Sequence, residues 1–175
     1  DATVTLGAVK VGLALPVARP WVGRLDLVDI GLAGEAWQEL DATLEVSEAA
    51  SLRALVPARA TAAHKGTHGH LLVVAGSRGK TGAAILAARG ALRSGAGLVT
   101  VACPNEAVAL VAGGGPELMT DPIRGLSAKE WRQRLAGKTA CVVGPGIGTA
   151  PQSSRLVRWL VTRAQVPMVL DADGL

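Results

Sequence analysis

Apolar positions recur along the chain in short runs, separated by glycine-rich turns and by stretches of helical period. "HLLVVAG" (70–76) is a continuous apolar run, the pattern of a strand covered on both faces. Thr81 to Ser94 follows with Ile85, Ala88 and Leu92 on one face and Arg89 and Arg93 on another. Gly95 and Gly97 end it, so the spacing predicts a helix. "LVTVACP" (98–104) reads as the next strand, "NEAVALVAG" (105–113) as a short helix and "PELMTDPI" (116–123) as an edge strand. Ser127 to Ala136 is predicted helical, "TACVVGPG" (139–146) a strand, Ser153 to Ala164 helical and "VPMVLDAD" (166–173) one more strand. Strands alternating with helices imply an α/β fold, doubly wound, with a mainly parallel sheet and helices on both faces.

The first part of the chain reads differently. "ATVTL", "KVGLALP" and "GRLDLVDIGL" are short β-rich runs between turns, too little apolar surface to fold alone. Residues 1–32 are therefore expected to be a β-rich remnant of a second domain. Residues 33–46 form an acidic connector, with Glu35, Glu39, Asp41 and Glu45 and no basic residue. The second domain runs over 47–175 and opens with a short helix, about Ser47 to Val56, stopped by Pro57. Asp1 begins inside a strand-like stretch and Leu175 follows closely on two carboxylates, which suggests a segment of a longer chain.

Composition narrows the classes of function. No apolar run approaches the ~20 residues of a membrane span. The net charge is +4 and the arginines are spread along a chain that has four Trp, no Phe and no Tyr. Without a clustered basic face or aromatic platforms, a nucleic-acid surface is disfavoured, whereas a mildly basic pocket for phosphorylated ligands is compatible. Cys103 and Cys141 lack metal-like spacing and fit reduced thiols in the cytoplasm.

Two glycine loops carry the candidate chemistry. "AGSRGKTGAA" (75–84) ends in Gly-Lys-Thr like a P-loop, but the first glycine of that motif is replaced by Val74, and the dinucleotide G-x-G-x-x-G spacing is also unmet. What remains is a strand, a glycine loop and a helix start, which turn free amides and a helix dipole toward the carboxyl edge of the sheet. Gly82, Ala83 and Ala84 leave that first turn nearly bare, open either to a ligand or to close helix–sheet packing. "VVGPGIGT" (142–149), with Gly146 and Gly148, repeats the arrangement, and the pair together points to a ligand crevice. In "DADG" (171–174), Asp171 and Asp173 end a strand, where carboxylates meet a metal, phosphate or substrate hydroxyl, or cap the next helix. His64, His68 and His70 lack the further ligands a metal site needs and read as loop residues.

Together, "HKGTHGHLLVVAGSRGKTGAAILAARGALRSGAGLVTVACP", "VVGPGIGT" and "PMVLDADGL" resemble the ADP/ATP-dependent NAD(P)H-hydrate dehydratases in order and spacing. Residues 1–32 are similar to the tail of the NAD(P)H-hydrate epimerase domain that precedes the dehydratase in bifunctional repair enzymes. The resemblance implies a ribokinase-like fold and repair of the (6S)-hydrate of NADH or NADPH by phosphorylation and phosphate elimination. It implies ADP or ATP with Mg²⁺, and K⁺ for the epimerase at a site outside this chain. It places the hydrate against Gly82, Ala83 or Ala84 and Gly146 or Gly148, with Asp171 and Asp173 on the same edge. The catalytic Asp is expected beyond Leu175, so this chain alone should be inactive. A homo-oligomer is compatible with the sequence. Competing readings are a ribokinase-like small-metabolite kinase, which stops at the phosphoester, a P-loop NTPase and a non-catalytic nucleotide-binding module.

Overall fold

The computed structural model describes residues 1–35, 44–56, 58–125 and 127–175. The acidic positions Glu39 and Asp41, and Pro57 as a helix stop, lie outside the described residues. The chain divides into two compact units, Asp1–Ala58 and Arg59–Leu175.

In the first unit, β1 (Ala2–Leu6) pairs in parallel with β2 (Arg24–Val28). Parallel neighbours need a crossover between them, because a hairpin can join only antiparallel strands. This corrects the reading of "KVGLALP" as a β-rich run. The segment forms α1 (Val11–Ala14) and a 3₁₀ turn at Pro16–Ala18, and α2 (Arg19–Val22) completes the crossover. The Thr3 hydroxyl donates to the Val22 carbonyl at 2.8 Å, and Thr5 and Val22 are buried. Helix α3 spans Ala49–Arg53, shorter than expected at both ends.

The second unit holds a five-stranded sheet of β3 (His70–Val74), β4 (Leu98–Pro104), β5 (Met119–Ile123), β6 (Ala140–Val143) and β7 (Met168–Leu170). Its order is β5-β4-β3-β6-β7, and every neighbouring pair is parallel. The crossovers carry α4 (Thr81–Arg93), α5 (Val108–Ala112), α6 (Ala128–Leu135) and α7 (Pro151–Arg163). Helix α7 begins at Pro151, which suits the first helical position.

Alternation along β3 explains its unbroken apolar run. Leu72 and Val74 pack with Trp131 of α6 and Leu156 and Leu160 of α7. Val73 and Ala75 face the other way, toward Ala84 and Ala88 of α4 and Val111 of α5. Leu72, Val73 and Val74 of β3 and Ala75 just after it are fully buried, each Leu or Val contributing ~1.5–3 kcal/mol. Arg134 ties α6 to the edge strand: its Nε donates to Asp121 Oδ2 at 3.0 Å, and its guanidinium lies 5.0 Å from the Trp131 ring centre.

Strand β7 is shorter than the predicted 166–173. Pro167 has no N–H to donate, and after Leu170 the chain turns through Ala172–Gly174.

Candidate functional site

Both glycine loops sit at the same place in the sheet. Strands β3 and β6 are neighbours, registered Leu71 to Ala140 through Val74 to Val143. From β3 the chain crosses through α4 to β4 on one side, and from β6 it crosses through α7 to β7 on the other. The two helices also cover opposite faces. Connections that diverge from adjacent parallel strands open a crevice at their carboxyl ends.

The loops are bonded to each other across this point. Gly76 N–H donates to the Pro145 carbonyl at 2.8 Å, and the Ser77 hydroxyl donates to the Gly146 carbonyl at 2.8 Å. Ser153 Oγ, in the first turn of α7, donates to the Ile147 carbonyl at 3.1 Å. Ser77 was invisible as a site residue in the sequence, since its partner lies 69 residues away.

The predicted site residues fall into distinct settings. Gly82 is exposed in the first turn of α4, and a Cβ there would meet nothing within 4 Å. Ala83 is half-buried beside Gly146, whereas the Ala84 side chain is fully buried in the core. Gly146 is buried with φ +66°, and a Cβ on it would lie 2.9 Å from the Lys80 carbonyl and 3.1 Å from Ala83 Cβ. Gly148 is half-buried, and its N–H donates to Asp173 Oδ2 at 2.9 Å. The same oxygen accepts from Lys80 Nζ at 3.2 Å. Asp171 is exposed and makes no side-chain cap on the turn that follows, although its carbonyl accepts from Gly174 N–H at 2.9 Å.

Electrostatics follow from these bonds. The Gly148 N–H, then the Lys80 ammonium, hold the Asp173 carboxyl below its ordinary value of 3.8. Lys80, the residue that mimics a P-loop lysine, is engaged with a carboxylate. Burial, then Glu106 and Asp121, push the Cys103 thiol up to about 11, which leaves it protonated and inert. His70 is set apart from the loops in β3, its Nε2 2.8 Å from Thr100 Oγ1, and burial followed by Lys138 lowers its pKa. His64 Nδ1 accepts from Gly66 N–H at 3.1 Å.

Among the described residues, no three His, Cys, Asp or Glu side chains gather as a metal site. Asp173 is already committed to Lys80 and Gly148, so these residues do not by themselves fit Mg²⁺.

Both loops lie within the part of the chain that matches a known family. The Carb_kinase profile, described as NAD(P)H-hydrate dehydratase, matches residues 71–175. The chain belongs to the NAD(P)H-hydrate dehydratase family. It is 39% identical over 185 residues to the bifunctional NAD(P)H-hydrate repair enzyme of Moorella thermoacetica, covering 99% of this chain and 34% of that protein. It is similar to the crystal structure of the ADP/ATP-dependent NAD(P)H-hydrate dehydratase of Bacillus subtilis, co-crystallised with ATP and Mg²⁺. That match has a TM-score of 0.58 and 31% identity, and covers 71% of this chain and 44% of the other. A ribokinase-like protein of Enterococcus faecalis shares the fold at TM-score 0.58 and 21% identity, over 68% of this chain and 42% of its own. The chain spans about a third of the length of the curated relatives it matches. Among the described residues, no helix is long and apolar enough to cross a membrane.

Proposed function

We propose that the protein carrying this chain restores NADH and NADPH from their (6S)-hydrates, consuming ADP or ATP. One observation carries the reading: the two glycine loops leave adjacent strands whose crossovers diverge, and they lock to each other there. Membership of the dehydratase family and the dehydratase activity of the Bacillus subtilis relative support the identity of the ligand. In this reading the hydrate lies along the backbone of Gly82, Ala83 and Ala84 and along Gly146 to Gly148, with Asp171 and Asp173 at the same edge. Ala84 takes part through its backbone alone, because its side chain is buried.

The hydrate hydroxyl gives its proton to water as its oxygen attacks the terminal phosphoryl group of the nucleotide, giving a phosphoester and a nucleotide one phosphate shorter. The carbon–oxygen bond then breaks and phosphate departs with the electron pair. The neighbouring ring carbon loses a proton, which restores the double bond of the dihydronicotinamide. This chain's residues bind and orient the hydrate.

The bifunctional relatives support a second activity, epimerisation of the hydrate, in the same protein. The two free, buried cysteines support a cytoplasmic setting.

The test is to incubate the intact protein with (6S)-NADH-hydrate, nucleotide and Mg²⁺ and to follow NADH absorbance. NADH should appear with one phosphate released per turnover. Ala83→Leu should raise the hydrate KM about tenfold, a loss of ~1.4 kcal/mol of binding, with nucleotide KM little changed. A phosphoester that accumulates without NADH would establish a kinase and overturn the dehydratase reading.

A further inference from the structure

We propose that Lys80, Asp173 and the Gly148 amide form a clasp that sets the two glycine loops in register, so that Lys80 and Asp173 are positioning residues. The three partners come from separate strand ends: Lys80 from the loop after β3, Gly148 from the loop after β6 and Asp173 from the turn after β7. Both bonds converge on one oxygen, Asp173 Oδ2, at 3.2 Å from Lys80 Nζ and 2.9 Å from Gly148 N. Charge assistance makes each the stronger kind of hydrogen bond.

Exposure argues for geometry as the role of the clasp. The side chains of Lys80 and Asp173 are 54% and 23% exposed, and an ion pair so open to water adds little to global stability. Its effect is local. Lys80 immediately precedes α4, and its carbonyl both accepts from Ala83 N–H and abuts Gly146. Pinning the Lys80 side chain therefore pins the start of α4 against the second loop. The same contacts weigh against two chemical roles. A carboxylate held below its ordinary pKa is a poor proton acceptor near neutrality, and an ammonium paired to it is not aimed at phosphate. Lys80 is the charged group acting on Asp173, and both are accounted for within the clasp.

The clasp itself is independent of the proposed reaction, and only its kinetic consequence rests on that reading. The test uses the intact protein labelled with ¹³C-carbonyl isoleucine and ¹⁵N-glycine, which in this chain selects Ile30–Gly31 and Ile147–Gly148. At pH 7, Asp173→Asn should move the Gly148 amide proton upfield and leave Gly31 unchanged. On acidification of the parent protein, that resonance should titrate with a midpoint below 3.8. Lys80→Met should raise the midpoint, and Lys80→Arg should restore it. With hydrate as substrate, Asp173→Asn and Lys80→Met should each raise KM about tenfold with kcat and the pH–rate profile retained. The double variant should be no worse than either single one, as coupled residues require.

A Gly148 amide that ignores both substitutions overturns the clasp, as do KM effects that multiply. Loss of kcat together with a limb of the pH–rate profile in Asp173→Asn would make Asp173 a proton carrier and overturn the positioning role. If the protein does not turn over the hydrate at all, the function proposed above fails while the amide titration still decides the clasp.

Discussion

A Cβ placed at Gly79 in the loop after β3, or at Gly82 in the first turn of α4 that follows, meets nothing within 4 Å, although one at Gly76 would lie 3.0 Å from Ala84 Cβ. In the loop after β6, one at Gly144 would lie 1.8 Å from the Asp171 carbonyl, and one at Gly146 would crowd Lys80 and Ala83. The two loops share a pattern of strand, glycines and helix start, yet their glycines serve different ends. At Gly144 and Gly146 the second loop needs glycine because protein atoms already fill the space, whereas its Gly148 is open. Past Gly76, which Ala84 crowds, the first leaves room at Gly79 and Gly82 that the protein does not use, and a ligand can approach there. A glycine count is therefore silent about binding until the neighbours of each glycine are known.

The comparison breaks most visibly at Gly144, where φ is +127°. Gly144→Ala should destabilise the protein by about 3–5 kcal/mol, adding backbone strain to a collision with a carbonyl that is held by Gly174 N–H. Chemical denaturation measures this, and a loss below ~1 kcal/mol would show that the second loop is less tightly packed than described.

Gly146→Ala comes next. The left-handed backbone and three contacts of 2.9–3.1 Å should together cost about 2 kcal/mol, read as a shift in denaturation midpoint. A variant as stable as the parent would place Gly146 among the open positions.

Gly82→Ala should give the smallest effect on stability, and of opposite sign. The position is helical and spacious, so alanine should stabilise by about 0.5–1 kcal/mol. If the hydrate touches that backbone, its KM should rise even as the protein becomes more stable. Greater stability with an unchanged KM would remove Gly82 from the proposed site.

Much of this was legible in the sequence, and the exceptions have physical causes. "HLLVVAG" announced a central strand because Leu72 and Val73 each need a core on opposite faces. The neighbouring loops of β3 and β6 followed from repetition of one local pattern. "KVGLALP" reads as a strand because its apolar spacing resembles one, and only the parallel pairing of β1 with β2 demands a crossover there. Asp171 and Asp173 look alike in "DADG", yet one is exposed and uncapped while the other accepts from Gly148 and from Lys80, 93 residues earlier. No local signal encodes a partner at that distance.

That distance also bears on how the protein acquires its binding edge during folding. The Ser77–Gly146 bond spans 69 residues and the Lys80–Asp173 bond spans 93. Helix α4 has its own local bonds, but the Ser77–Gly146 contact waits for β6 to pair with β3, and the Lys80–Asp173 contact waits also for β7 to pair with β6. Such long-range closure is slow relative to local helix formation. The edge that receives a ligand is thus completed only as the sheet closes, and intermediates lacking β6 offer no partial version of it.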